Sequence, residues 1–185
     1  YGDTLWSRNY GMHEDSVYYF PISWFEAVIV TSDGGFAATG MMEATPMWFG
    51  LFAAKMNSEG DTLWTYRTGG LYYHTAGHDI VESQTGDFVI AGLNDVSLYL
   101  LWLGPDGSFV RQFSHNEPNS QWSANALAIR ANGNVLAVGS QYYPAQSQHD
   151  LREIELSPAG EIVWSVEVNG LRNDVASAIS LWGNE

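Results

Sequence analysis

The sequence predicts an all-β fold, a β-propeller built from four-stranded antiparallel blades. Three observations lead there. An alternating strand, a glycine turn and a second strand recur as "FEAVIVTSDGGFAATG" (25–40), "GHDIVESQTGDFVIAG" (77–92) and "ANALAIRANGNVLAVG" (124–139). Their turn glycines, Gly34, Gly86 and Gly133, lie 52 and then 47 residues apart, close to the period of propeller blades. Each segment is followed in fixed order by an apolar strand ending in a turn, then by a string such as "DTLWTYRT" or "EIVWSVEV". A β-sandwich would not predict that ordered recurrence.

In chain order, the sequence opens with a lone outer strand over 3–10. Three complete blades follow, near 25–70, 77–115 and 124–169, and a lone inner strand over 176–182 ends the chain. The turns "DGG", "TGD", "NGN", "PDG" and "SEGD" suit the positive φ that short hairpins need. The first strand of each blade should line a central channel and the fourth should lie outermost. Trp6, Trp64 and Trp164 recur at one place in the unit and are expected to wedge between adjacent sheets as scaffold, as are the turn glycines. Three blades with partial blades at both ends cannot close a ring. The expectation is therefore one segment of a longer propeller, of about six to eight blades, or closure by assembly of copies.

Composition narrows the function classes. Acidic residues outnumber basic ones 21 to 7, giving a net charge of −14 over 185 residues. That balance opposes nucleic-acid binding, which needs clustered Lys and Arg. With no cysteine, neither a disulfide nor a thiolate metal site is available. No apolar run reaches the ~20 residues that span a bilayer. These features fit an extracellular or cell-surface protein (periplasmic is the variant), whose partner is a glycan, a protein, or other copies or blades of the same chain.

The string "AKMNSEGDTLW" (54–64) resembles the tryptophan motif of quinoprotein-like propellers, Ala-x-Asp-x-x-Thr-Gly-x-x-x-Trp. Ala54, Gly60 and Trp64 fall in register, while Met56 and Glu59 replace the Asp and Thr. "IELSPAGEIVW" keeps Gly160 and Trp164, and the middle copy ends in Arg111 instead of Trp. The wider pattern is similar to repeats in secreted and surface proteins of Bacteroidetes-type bacteria. The resemblance implies a blade and not an activity: no quinone-binding residue carries over, and no cofactor is expected.

Connections between first and second and between third and fourth strands should be tight and lie on one face. Longer, aromatic-rich connections should lie on the opposite face. Tyr18, Tyr19, Trp24, Trp48, Tyr72, Tyr73, Trp122, Tyr142 and Tyr143 are the candidate ligand-binding residues there. Rings beside Asn, Gln, Asp and His suit sugar recognition, by stacking and hydrogen bonding. The alternative is that these rings pack against neighbouring blades. His13, His74 and His78 are weak candidates for metal ligands, because "HTAGH" lacks the Glu of the helical zinc motif and precedes a strand. Glu26 and Asp79 begin inner strands and should line the channel. No nucleophile elbow, P-loop or dinucleotide fingerprint occurs. The expected function is a non-enzymatic binding or structural module. The alternatives are a fragment of a propeller enzyme acting on carbohydrates or alcohols, and a self-assembling surface protein using open strand edges.

Overall fold

Short runs of alternating polar and apolar residues, bounded by glycine turns, become strands throughout. The computed structural model describes residues 23–45, 48–68 and 74–168, together with Ser7, Gly170 and 173–181. The first sheet holds β1 (Ser23–Val30), β2 (Phe36–Thr45), β3 (Trp48–Met56) and β4 (Thr62–Arg67). The second holds β5 (Thr75–Glu82), β6 (Phe88–Asn94), β7 (Ser97–Leu103) and β8 (Phe109–His115). The third holds β9 (Gln121–Ile129), β10 (Val135–Tyr143), β11 (Gln148–Leu156) and β12 (Ile162–Val168). Each sheet is an antiparallel meander in chain order. No helix occurs among the described residues, so none is long and apolar enough to cross a membrane.

Two glycine positions fix the repeated geometry, for different reasons. Gly34, Gly86 and Gly133 have φ of 81°, 85° and 83°, the left-handed region that closes a short hairpin without Cβ strain. The second set, Gly40, Gly92 and Gly139, answers a β-bulge. In each first strand one residue is skipped in the pairing: Glu26, His78 and Asn125. The bulge drives a carbonyl against the partner strand. A Cβ on Gly92 would lie 1.8 Å from the Ala76 oxygen, and one on Gly139 1.9 Å from that of Ser123. Only glycine fits there.

The sheets stack face to face. β5 packs on the first sheet and β9 on the second, and the three sheets do not close on themselves. One core lies between the first two sheets, with Leu51, Ala53, Ile80, Phe88, Ile90 and Leu101 buried. The other lies between the second and third, with Leu98, Leu100, Trp102, Trp122, Leu127 and Ile154. β5 is covered on both faces, whereas in β1 the alternate residues Val28 and Val30 are 64% and 72% exposed. Ile80 and Leu127 hold the register position of Val28 and are buried because a sheet precedes them.

Three sequence expectations need correction. The connection between β6 and β7 is a two-residue turn, Asp95–Val96, and not a long loop. Residues 41–50 and 141–150 are also mostly strand: β2, β3, β10 and β11 run on through the aromatic stretches. Aromatic side chains favour strands and pair across them, as Tyr142 does with His149. The predicted inner strand over 176–182 is not a strand in its described part, 176–181, nor is the stretch before it, 173–175. That segment meets the third sheet through single backbone bonds, Asp174 N–H to His149 O and Ala176 N–H to Gly139 O. Two isolated bonds do not make a ladder. The lone outer strand at 3–10 falls outside the described residues apart from Ser7.

Candidate functional site

Among the described residues, the aromatics singled out above do not share one surface. Tyr18, Tyr19, Tyr72, Tyr73, His13 and Trp6 lie outside the described residues. Trp48 is the first residue of β3. Trp24 lies in β1, 38% exposed, its indole N–H donating to Glu26 Oε1 at 2.6 Å and its ring 6.0 Å from Phe49. Trp122 is a core residue. At 1% exposure it offers no ring face to a ligand, because the Gln121–Ile129 strand turns it into the second intersheet core. Tyr142 and Tyr143 are neighbours on β10 and therefore point to opposite faces; Tyr142 packs on His149 at 4.6 Å.

What does converge is polar, at the β10–β11 turn end of the interface between the second and third sheets. Gln141, Tyr143, Gln148, Asp150, Arg152 and Glu167 project from one face of the third sheet, by the registers Tyr143–Gln148, Gln141–Asp150 and Arg152–Glu167. The β8–β9 connection supplies Glu117 and Ser120. Arg152, 8% exposed, pairs with Glu117 and with Glu167 Oε2 at 3.0 Å, its guanidinium 4.9 Å over the Trp122 ring. Gln141, fully buried, donates from Nε2 to Glu117 Oε2 at 3.0 Å and Ser120 Oγ at 2.7 Å. Gln148 Nε2 donates to Asp150 Oδ1 at 2.6 Å, and the Tyr143 hydroxyl to Glu167 Oε2 at 3.1 Å.

Burial, with the Glu167 carboxylate beside it, pushes the Tyr143 phenol up to about 12, so it stays a hydrogen-bond donor at physiological pH. Beside these groups opens a cleft of about 430 Å³ lined by Tyr143, Gln146, Gln148, Asp150 and Glu167. Gln141 Oε1 and Trp122 Nε1 are buried without a hydrogen-bond partner. Glu117 and Glu167 against the Arg152 guanidinium, with Asp150 beside Gln148, leave the cluster net negative. It accepts hydrogen bonds in excess of those it donates, which suits a ligand rich in O–H or N–H groups.

His78, His74, Asp79 and Glu26 make contacts within and between the sheets. His78 Nδ1–H donates to Ala124 O at 3.0 Å, with Ser123 Oγ at 3.1 Å, and so ties β5 to β9. His74 is exposed and stacks on Phe49 at 5.9 Å. No three His, Asp or Glu among the described residues come together to hold a metal ion. Asp79 accepts from the Leu127 N–H at 2.8 Å and from its own neighbour Ile80. Burial raises its pKa, opposed by these two amides. Glu26 holds the Trp24 indole.

Sequence reasoning missed Glu117, Gln141, Arg152 and Glu167. One signal for them was present. In "DLREIEL", Asp150 and Arg152 fall in phase with Ile154 and Leu156, a period-2 pattern that puts charge on a buried face.

Fold and site define an all-β protein of three successive four-stranded antiparallel sheets, with a polar cleft at the β10–β11 turn end of the third. No family model and no curated protein matches the chain. Among solved structures it is similar to a protein of unknown function from Bacteroides caccae. Identity is 10% and the TM-score 0.42, over 79% of this chain and 68% of the other. That likeness carries no functional information.

Proposed function

We propose that the three sheets are blades of a β-propeller that serves as a non-enzymatic extracellular recognition module. Its ligand is a glycan, held in the cleft at the β10–β11 turn end of the third sheet. One observation carries this reading: Tyr143, Gln148, Asp150 and Glu167 surround a cleft of about 430 Å³ on a rigid strand frame. Sugar hydroxyls donate to Asp150 and Glu167, and the Tyr143 ring supplies an apolar edge. The excess of acceptors favours neutral or amino sugars over acidic ones. The recurrent order of strands and the face-to-face stacking support the blade assignment.

Titration calorimetry against a panel of neutral and amino oligosaccharides tests the reading. Saturable binding should weaken at least about tenfold in Asp150→Asn, which keeps shape and removes charge. Tyr143→Phe should weaken it less. No binding at millimolar sugar, or binding indifferent to both substitutions, would exclude the cleft.

A further inference from the structure

At the opposite end of β10 a larger opening, about 490 Å³, lies between the second and third sheets. Its origin is visible in the repeat. Trp64, Arg111 and Trp164 occupy one register position, opposite Lys55, Trp102 and Glu155. Phe36, Phe88 and Val135 occupy another, each pairing with the last residue of the preceding strand.

Between the first two sheets these positions are filled. The Trp64 ring meets Phe88 at 5.5 Å edge-on and lies on Gly107, where a Cβ would fall 2.6 Å from it. Its indole N–H donates to Pro105 O at 2.9 Å. Ser32 then clamps Glu82 across the gap, from N–H at 2.6 Å and from Oγ at 2.8 Å.

Between the second and third sheets all four partners differ. Arg111 stands for Trp64, Val135 for Phe88, Gln84 for Ser32 and Ile129 for Glu82. Two aromatic rings and the carboxylate clamp are gone. Trp102 replaces Lys55 and takes the Arg111 guanidinium 4.0 Å above its ring, which restores only part of the lost volume. The space left over is the groove.

Its lining is specific. Val89, Val110, Val135 and Pro158 make apolar walls. Arg111 lines it from the second sheet and Arg130 from the third. Arg130 Nε is buried without a hydrogen-bond partner, 3.5 Å from Glu155 Oε1, whose oxygen accepts from Asn134 Nδ2 at 2.6 Å. Two of the chain's seven basic residues thus meet in one groove, against one lining carboxylate, Asp87, on a protein of net charge −14.

From this geometry we infer that the groove is a binding site for a small planar aromatic carboxylate. Arg111 itself lies on the turn glycine Gly160, as Trp64 lies on Gly107, and the ligand ring fills the space beside its guanidinium, against Val89, Val110, Val135 and Pro158. The carboxylate accepts from the terminal nitrogens of the Arg130 guanidinium, whose Nε side is turned to Glu155. The site is separate from the cleft proposed for glycans and stands or falls independently of it.

Indole-3-acetate is the probe, with indole and acetate as controls, measured by calorimetry on the intact chain. The acid should bind with a Kd of about 1 mM or tighter, as ligands of this size do, and at least about tenfold better than either control. Arg111→Trp restores the recurrent ring and fills the groove. It should abolish binding while the melting temperature holds or rises, which separates filling from misfolding. Arg130→Gln should weaken the acid about tenfold and leave indole unchanged. Failure to saturate at 10 mM (roughly ten times the expected Kd), equal affinity for indole and its acid, or unchanged binding in Arg111→Trp would each overturn the proposal.

Discussion

The two intersheet interfaces share a backbone plan and differ in how they are sealed. The first is closed by an indole on a glycine turn and by the Ser32–Glu82 clamp. At the second, an arginine stands where the indole was, no equivalent clamp forms, and a groove remains. The bulge and its glycine are the same in both. A repeat therefore fixes strand order and bulge position, while single side chains decide whether an interface is packed shut or left receptive. The third sheet extends the comparison: Trp164 matches Trp64 in register, yet its indole N–H donates to Glu155 of its own sheet.

The largest effect should be the one that treats both interfaces alike. Gly92→Ala and Gly139→Ala each place a Cβ under 2 Å from a backbone oxygen. Each should cost upwards of about 3 kcal/mol in urea unfolding. A mild effect at only one of them would mean that the bulges are not equivalent.

Next comes the contrast itself. Trp64→Ala should cost about 3 kcal/mol, at the low end for a tryptophan because the ring is only partly buried. Arg111→Ala should cost about 1 kcal/mol or less, since the groove beside it is already open. Equal losses would erase the distinction between a sealed and an open interface.

A smaller effect sharpens the role of the clamp. Ser32→Ala removes one of its two bonds and should cost about 0.5–1 kcal/mol. Gln84→Ala, at the same position of the second interface, should be close to neutral.

The smallest effect is the pH dependence that Asp33 gives the first sheet. The Thr31 hydroxyl, then Lys55 and the Gly35 amide, hold the Asp33 carboxyl well below the usual carboxylate range. Lys55 Nζ reaches both its oxygens at 2.9 Å. A carboxyl depressed in the folded state stabilises fully above its unfolded pKa, about 4. That contribution is lost as pH falls below it and on through the folded value. The melting temperature of Asp33→Asn should therefore lie below wild type at pH 7 and converge with it toward pH 2. A constant difference across that range would assign the effect to packing. The carboxyl of Asp79, raised by burial, works in the opposite sense: its contribution grows as pH falls through its folded value.

Strand order, hairpin turns and the recurrence of three four-stranded units are all legible along the chain. These are local matters. A turn glycine acts within four residues, and an alternating pattern repeats every two, so both can be read along the chain. Strand ends were misjudged at 41–50 and 141–150, because composition there suggested loops while cross-strand pairing such as Tyr142–His149 extends the hairpins.

Only the tertiary structure decided which residues meet between sheets. Trp122 is buried because β9 is covered by the second sheet, and Arg152 finds Glu117 across a separation of 35 residues. Ser32 and Glu82 are 50 apart. The groove, likewise, follows from several positions shrinking or changing charge together, on two different sheets. Whether a side chain fills a space depends on the volume that its partner leaves, and that partner is chosen by stacking whole sheets, not by the residues beside it in sequence.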